Sequence, residues 1–122
     1  MRRGFLSAKG MTINMIEKVM DALIGKDFRT LASCFSENCQ YFDYCPSLNG
    51  GSNSFIYGND CLEMFFMQRF LSRVFEAAEP LVENESRATF FGAYDGPYIY
   101  ARFSIEEYDS EGLIKKAVVH PA

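Results

Sequence analysis

Gln40-Tyr41-Phe42-Asp43-Tyr44 is a short aromatic run with one carboxylate inside it, and it lies between two segments of helical pattern. The β-favouring rings, bounded by Asn38 and Pro46, predict a strand over residues 39–44. Because rings flank Asp43 on both sides, this residue is either a strand acid that points into water or a buried acid with a raised pKa. The choice between the two decides whether the run is a site for chemistry.

Two helices are predicted before this strand. Apolar residues recur at helical spacing over residues 13–24, which indicates an amphipathic helix. A second, shorter helix is expected from Asp27, as its N-cap, to Phe35. Residues 1–10 are interpreted as a flexible N-terminal extension, and residues 11–122 have the length of a single domain.

The segment after the aromatic run changes from helical to strand pattern. A polar, glycine-rich loop over residues 46–54 is interpreted as a connector rather than a lid. A third helix is predicted from Gly58 to Phe70. Strands are predicted over residues 81–85, 88–94, 98–108 and 113–119. Helices first and antiparallel strands later predict an α+β domain, with the N-terminal helices packed on a curved sheet.

The composition argues against several classes of function. With a net charge of −4 and no basic stripe, nucleic-acid binding is not expected, because such binding depends on Lys and Arg. No apolar run approaches membrane-spanning length, so we expect no membrane contact and a cytoplasmic protein. The cysteines lack metal-binding spacing and His120 is the only histidine, so we expect free thiols, no metal and no cofactor.

Several short motifs carry a resemblance to a known superfamily. They are Ala22-Leu23 with Gly25-Lys26-Asp27-Phe28, then Phe35 before the first strand, Gly58 ahead of the third helix, and Glu111-Gly112-Leu113-Ile114 at the final hairpin. In order and spacing they resemble the nuclear transport factor two-like superfamily, also called SnoaL-like or cystatin-like. The resemblance implies a cone-shaped α+β barrel. Together with the aromatic share of 16%, it implies a homodimer formed through the convex face of the sheet.

Within that superfamily the sequence is distantly similar to ketosteroid isomerase, in which an aspartate on the first strand abstracts a proton next to a carbonyl. Counted from Phe35, that aspartate falls on Asp43, which the resemblance therefore makes a candidate general base. The tyrosine and the protonated aspartate of the isomerase fall on about Val19 and Ser104, and neither residue can take over the role. The resemblance thus implies a base without its usual partners.

The expected site is an apolar pocket inside the cone for a small aromatic or polycyclic ligand. Candidate ligand-binding residues are Tyr41, Tyr57, Phe66, Tyr100, Arg102 and Ser104, and His120 is a second candidate for proton transfer. For the strand over residues 98–108, two orientations remain open. Either Ser104 and its even-numbered neighbours line the pocket, as the resemblance implies, or the apolar odd-numbered residues do, which is the simpler assignment. Arg69 is expected to pair with Glu63 or Glu76 at the surface, with a ligand carboxylate as the alternative.

Three functions are compatible with these features. The first is a cofactor-independent isomerase, cyclase or dehydratase in which Asp43 transfers a proton. The second is a ligand-binding module without catalysis, and the third is a dimeric interaction domain. The third gains support if the chain's own phenylalanines fill the cone and leave no cavity large enough for a ligand.

Overall fold

The computed structural model describes residues 8–122, and it describes side chains from residue 15 onward. The described residues form three α-helices: α1 is Ala8–Ile24, α2 is Phe28–Ser33 and α3 is Asn59–Leu71. Helix α1 therefore begins earlier than its apolar pattern predicts. A single 3-10 turn at Pro46–Asn49 lies in the predicted loop. Residues 1–7 of the predicted extension lie outside the described residues.

Six strands form one curved sheet. They are β1 Phe35–Asp43, β2 Ser54–Tyr57, β3 Phe75–Val82, β4 Arg87–Tyr94, β5 Tyr98–Tyr108 and β6 Ile114–Pro121. Their order across the sheet is β2-β1-β6-β5-β4-β3, and all neighbours are antiparallel except β1 and β6. Strands β2 and β3 are the two edges, so the sheet is an open cone rather than a closed barrel. The predicted α+β architecture is confirmed.

Side-chain hydrogen bonds hold the first turns of α2 and α3. The Asp27 carboxylate accepts a hydrogen bond of 3.1 Å from the Thr30 N–H, which confirms Asp27 as the N-cap of α2. At the start of α3, the Asn59 amide donates to the carbonyls of Ala32 at 2.6 Å and Phe35 at 3.1 Å. The first turn of α3 is thereby tied to the end of α2 and the start of β1.

Two strands differ from their predicted extent. Strand β2 was not predicted: Ser54 belongs to the predicted loop over residues 46–54, and no element is predicted for residues 55–57. These four residues form a strand by pairing with β1. Strand β3 begins at Phe75, well before the predicted strand over residues 81–85. Its pairing with β4 shifts register between Ala78 and Leu81, where Glu79 has a φ of 52°. This irregularity interrupts the two-residue alternation by which a strand is recognised.

A continuous series of ring contacts fills the space between the helices and the concave face of the sheet. The series runs through Phe35, Tyr41, Phe66, Phe70, Phe75 and Tyr94, and successive ring centroids are 5.2–6.1 Å apart. These distances are typical of packed aromatic pairs. Three of the four cysteines are buried, and all four are free thiols, as predicted. Within residues 8–122, no helix is long and apolar enough to cross a membrane.

Candidate functional site

Asp43 is the last residue of β1 and its side chain is only 2% exposed. Along the strand it follows Tyr41 by two residues, so both side chains point to the concave face of the sheet. One carboxylate oxygen accepts a hydrogen bond of 3.0 Å from the Cys45 N–H, which forms a tight local turn and ends the strand. Asp43 is therefore a buried acid, the second of the two alternatives for this residue.

The carboxyl of Asp43 borders a small cavity inside the cone. The cavity has a volume of about 10 Å³, which is room for about one water molecule. Its polar neighbours are Asp43, Tyr41, Arg69 and Tyr94, and the rest of its wall consists of Leu23 and five phenylalanines. Rings therefore occupy most of the space that the cone encloses.

The Tyr94 hydroxyl, from the end of β4, lies beside Asp43 at the cavity and lowers the pKa of its carboxyl. Its ring lies on the same strand face as Phe90, with Gly92 between them. A Cβ at position 92 would stand 3.0 Å from the Phe90 ring and 3.1 Å from the Tyr94 ring. Gly92 thus leaves the space in which the Tyr94 ring reaches Asp43. The alternation of residues 90, 92 and 94 is the sequence signal that could have identified Tyr94.

Arg69 projects from α3 at the edge of the cavity. Its guanidinium carbon lies 4.7 Å from the centroid of the Phe65 ring and 5.4 Å from that of Tyr94. One guanidinium nitrogen donates a hydrogen bond of 3.2 Å to the Ser54 hydroxyl on β2. The expected surface pairing with Glu76 is wrong, because Glu76 instead forms a salt bridge of 2.6 Å with Lys26.

Phe65, Arg69 and Tyr94, here called the arginine stack, close the cavity on the solvent side. They are partly exposed, whereas the other residues that line the cavity are buried. Cation–π contacts at exposed sites contribute about 0.5–1 kcal/mol each, and a hydrogen bond from a charged donor such as Arg69 contributes about 1.5–3 kcal/mol. The polar contacts of the stack therefore sum to a value on the order of 3–5 kcal/mol, less than the stability of a typical domain.

Burial dominates the ionisation of the groups around the cavity. It raises the pKa of Asp43, and the Cys45 N–H, the Arg69 charge and the Tyr94 hydroxyl offset part of that rise. Burial, and after it the charge of Asp43, raises the pKa of Tyr94 and of Tyr41 well above the usual range and that of Cys45 to about 12. At neutral pH the two hydroxyls and the thiol stay protonated. Asp43 is the member of this group suited to exchanging a proton.

The predicted site residues divide between the two faces of the sheet. Tyr41 and Phe66 lie in the cavity with Asp43. Tyr57 and Tyr100 are 60% and 44% exposed and do not line the cavity. On β5 the odd-numbered apolar residues face inward, so the simpler orientation of this strand is correct. The placement of Arg102 and Ser104 in the pocket is wrong for the same reason.

Arg102, Ser104 and His120 instead come together on the convex face. With Glu83 and Arg87 among their neighbours, they line an open groove of about 600 Å³. Arg102 pairs with both oxygens of Glu83, at 2.8 and 3.0 Å. His120 is separated from Asp43 by the sheet, so these two residues do not form one proton-transfer site. The part of the chain that the structure describes holds no cluster of three or more His, Cys, Asp or Glu side chains suited to a metal ion.

Comparison with known proteins identifies the fold. No family model and no curated protein sequence matches the chain. A SnoaL-like protein of unknown function from Burkholderia thailandensis E264 superimposes with a TM-score of 0.65 at 15% identity, over 96% of this chain and 99% of that one. The chain has the SnoaL-like fold.

Two further solved structures extend the SnoaL-like comparison. An NTF2-like protein of unknown function from Mesorhizobium loti gives a TM-score of 0.65 at 16% identity, over 96% of this chain and 95% of that one. A candidate ketosteroid isomerase from Kribbella flavida DSM 17836 gives 0.60 at 15% identity, over 93% of this chain and 79% of that one. The expected superfamily resemblance is confirmed at the level of the fold.

Proposed function

We propose that this SnoaL-like chain binds a small aromatic or polycyclic molecule at the Asp43 cavity, and that Asp43 transfers a proton on it. The observation that supports the proposal is a buried carboxyl with a raised pKa, which shares its cavity with the Tyr94 hydroxyl and is enclosed by rings. Carboxyl groups in such surroundings cluster at functional sites. The reaction class is that of a cofactor-independent isomerase, cyclase or dehydratase.

The proposed step is proton abstraction next to a ligand carbonyl. The ionised Asp43 carboxylate takes a proton from the adjacent carbon, and the electron pair of the broken C–H bond forms the enolate. The Tyr94 hydroxyl, protonated at neutral pH, donates a hydrogen bond to the enolate oxygen. Asp43 then returns the proton to carbon. Tyr94 thereby supplies the partner that Val19 and Ser104 cannot.

Ligand entry requires the arginine stack to open. Sites for small molecules usually have volumes of about 300–1,000 Å³, far more than the closed cavity of about 10 Å³. The cavity wall next to solvent consists of the side chains of Phe65, Arg69 and Tyr94. Rotation of Phe65 and Arg69 away from Tyr94 exposes the path to Asp43 without a change in the sheet.

Asp43→Asn tests the proposed reaction with 1-indanone as the probe ketone. In D₂O the wild type is expected to exchange the protons next to the carbonyl faster than a protein-free blank, as followed by proton NMR. Because a positioned base contributes about 10²–10⁴-fold, Asp43→Asn is expected to lose at least about 10²-fold of this exchange.

Asp60→Asn is the matched control, since Asp60 is an exposed carboxylate on α3. It is expected to exchange 1-indanone at the wild-type rate. Equal rates for the wild type and Asp43→Asn would show that Asp43 is not the base.

A second candidate function is a dimeric interaction module without catalysis. The small volume of the closed cavity favours it, and so do exposed rings on the convex face. Phe55 and Tyr57 on β2 are 50% and 60% exposed, and Phe91 and Tyr100 form an exposed pair with centroids 5.0 Å apart. Exposed apolar surface of this kind is typical of protein interfaces. A second copy of the chain is the proposed partner.

Tyr100→Glu tests this interface by placing a charge in the exposed ring pair. Light scattering at micromolar concentration is expected to give twice the chain mass for the wild type and the single-chain mass for Tyr100→Glu. Met64→Glu, an equally drastic change at an exposed position on α3, is expected to remain dimeric. A wild-type protein with the mass of one chain would contradict the dimer.

A further inference from the structure

We propose that Arg69 is the anion-binding residue of the Asp43 cavity, and that the ligand of this cavity is a small carboxylic acid with an apolar body. The carboxylate pairs with Arg69 at the edge of the cavity, and the apolar body extends towards Asp43. This inference rests on the proposed function and names the class of ligand that the same site takes.

The Arg69 guanidinium has few hydrogen-bonding partners. A guanidinium carries five N–H donors in a fixed plane, and the Ser54 hydroxyl accepts from one of its nitrogens at 3.2 Å. Among residues 15–122, the salt bridges join Lys26 to Glu76 and Arg102 to Glu83, and Arg69 takes part in neither. A partly buried arginine thus keeps donors available beside a cavity.

The Arg69 guanidinium lies over two rings. Its carbon is 4.7 and 5.4 Å from the centroids of the Phe65 and Tyr94 rings. Contacts of this kind leave N–H donors, beyond the one bonded to Ser54, for a carboxylate, which a guanidinium binds through two parallel hydrogen bonds. The same two rings present apolar surface to the body of a ligand.

Arg69 and Asp43 interact electrostatically at the cavity. Both residues border the cavity, and the Arg69 charge offsets part of the rise in the pKa of Asp43 that burial causes. A carboxylate bound to Arg69 cancels that charge. Ligand binding is therefore expected to raise the pKa of Asp43 further, which makes it a stronger base once ionised.

The competing explanation is that Arg69 only links α3 to β2 through Ser54. A purely structural arginine affects stability and leaves the binding of small anions unchanged. Anion affinity is thus the property that separates the two roles.

The test is a titration of benzoate into ¹⁵N-labelled protein, followed by amide shifts around the cavity. Arg69→Met is expected to raise the benzoate dissociation constant by at least about tenfold, while Arg69→Lys, which keeps the charge, loses less. Arg29→Met is the matched control, because Arg29 is an exposed arginine 5.4 Å from the centroid of the Phe28 ring on α2. It is expected to bind benzoate as the wild type does. Benzamide, the uncharged analogue, is expected to bind the wild type and Arg69→Met equally.

Two results would overturn the inference: no benzoate binding by the wild type, or equal benzoate affinity in the wild type and Arg69→Met. If Arg69→Met does not fold, equal affinity in Arg69→Lys and the wild type has the same meaning, because a bidentate site distinguishes the two cations. The proton exchange of 1-indanone tests the proposed function independently of this inference, since this ketone has no carboxylate to pair with Arg69. Asp43-dependent exchange without Arg69-dependent benzoate binding removes this inference alone, whereas loss of the exchange removes the proposed function.

Discussion

Phe66→Ala is expected to lower the free energy of unfolding by about 3–5 kcal/mol, the usual cost of removing a buried phenylalanine ring. Phe66 is 2% exposed, and its ring contacts those of Tyr41, Phe65 and Phe70 at centroid distances of 5.2–5.5 Å. The backbone cannot easily collapse into the space that the Phe66 ring leaves, because α3 and the sheet are held in place on either side of it. Urea denaturation of the wild type and the variant measures the loss.

Leu71→Ala is the control for Phe66→Ala on the same helix. Leu71 is among the exposed apolar residues, so its truncation is expected to change stability by less than about 0.5 kcal/mol. Phe66→Ala also enlarges the cavity beside Asp43, and benzene is expected to stabilise this variant more than it stabilises the wild type. A loss below about 1 kcal/mol for Phe66→Ala would contradict the packing of α3 onto the sheet.

The stability of Asp43→Asn relative to the wild type is expected to increase as the pH rises. Burial raises the pKa of Asp43 above 3.8, so the folded state binds more protons than the unfolded chain between 3.8 and that raised value. The free energy of unfolding of the wild type therefore falls as the pH rises through this window. An asparagine keeps the oxygen that accepts from the Cys45 N–H and cannot ionise, so the variant lacks this fall.

Paired urea denaturation curves from pH 4 to pH 8 measure the effect. The stability difference between Asp43→Asn and the wild type is expected to grow in favour of the variant with rising pH, and to exceed about 0.5 kcal/mol at pH 7. Asp60→Asn, at an exposed position, is expected to follow the wild type. A variant that is less stable than the wild type by the same amount at every pH would show that Asp43 serves the structure alone.

Much of the fold was predictable because most elements carry their own periodicity. Strands β5 and β6 show the alternation of a half-buried strand, β4 ends at the turn that its sequence predicts, and Asp27 caps α2 as predicted. Strand β2 and the first half of β3 were not predictable in this way. They are strands because a neighbour supplies hydrogen bonds, and the register shift in β3 breaks its pattern.

The site was predictable only in part, for a similar reason. The position of Asp43 follows from a count within one strand, whereas Tyr94 and Arg69 come from distant parts of the chain and meet it through the sheet and α3. The resemblance implies that the side chains of Ser104 and Arg102 face the pocket, and this placement is wrong. The alternation of apolar residues along β5 predicts the correct face. The arrangement of rings that closes the cavity depends on packing, which no local pattern encodes.

The most direct measurement is the pH titration of the Asp43 carboxyl carbon by NMR, with aspartate labelled with ¹³C and the signal assigned by its loss in Asp43→Asn. We expect a midpoint above 3.8, together with a further rise when benzoate is added. A midpoint at or below 3.8 would contradict the proposed role of Asp43, because this residue would then be an ordinary stabilised carboxylate rather than a buried acid able to exchange a proton.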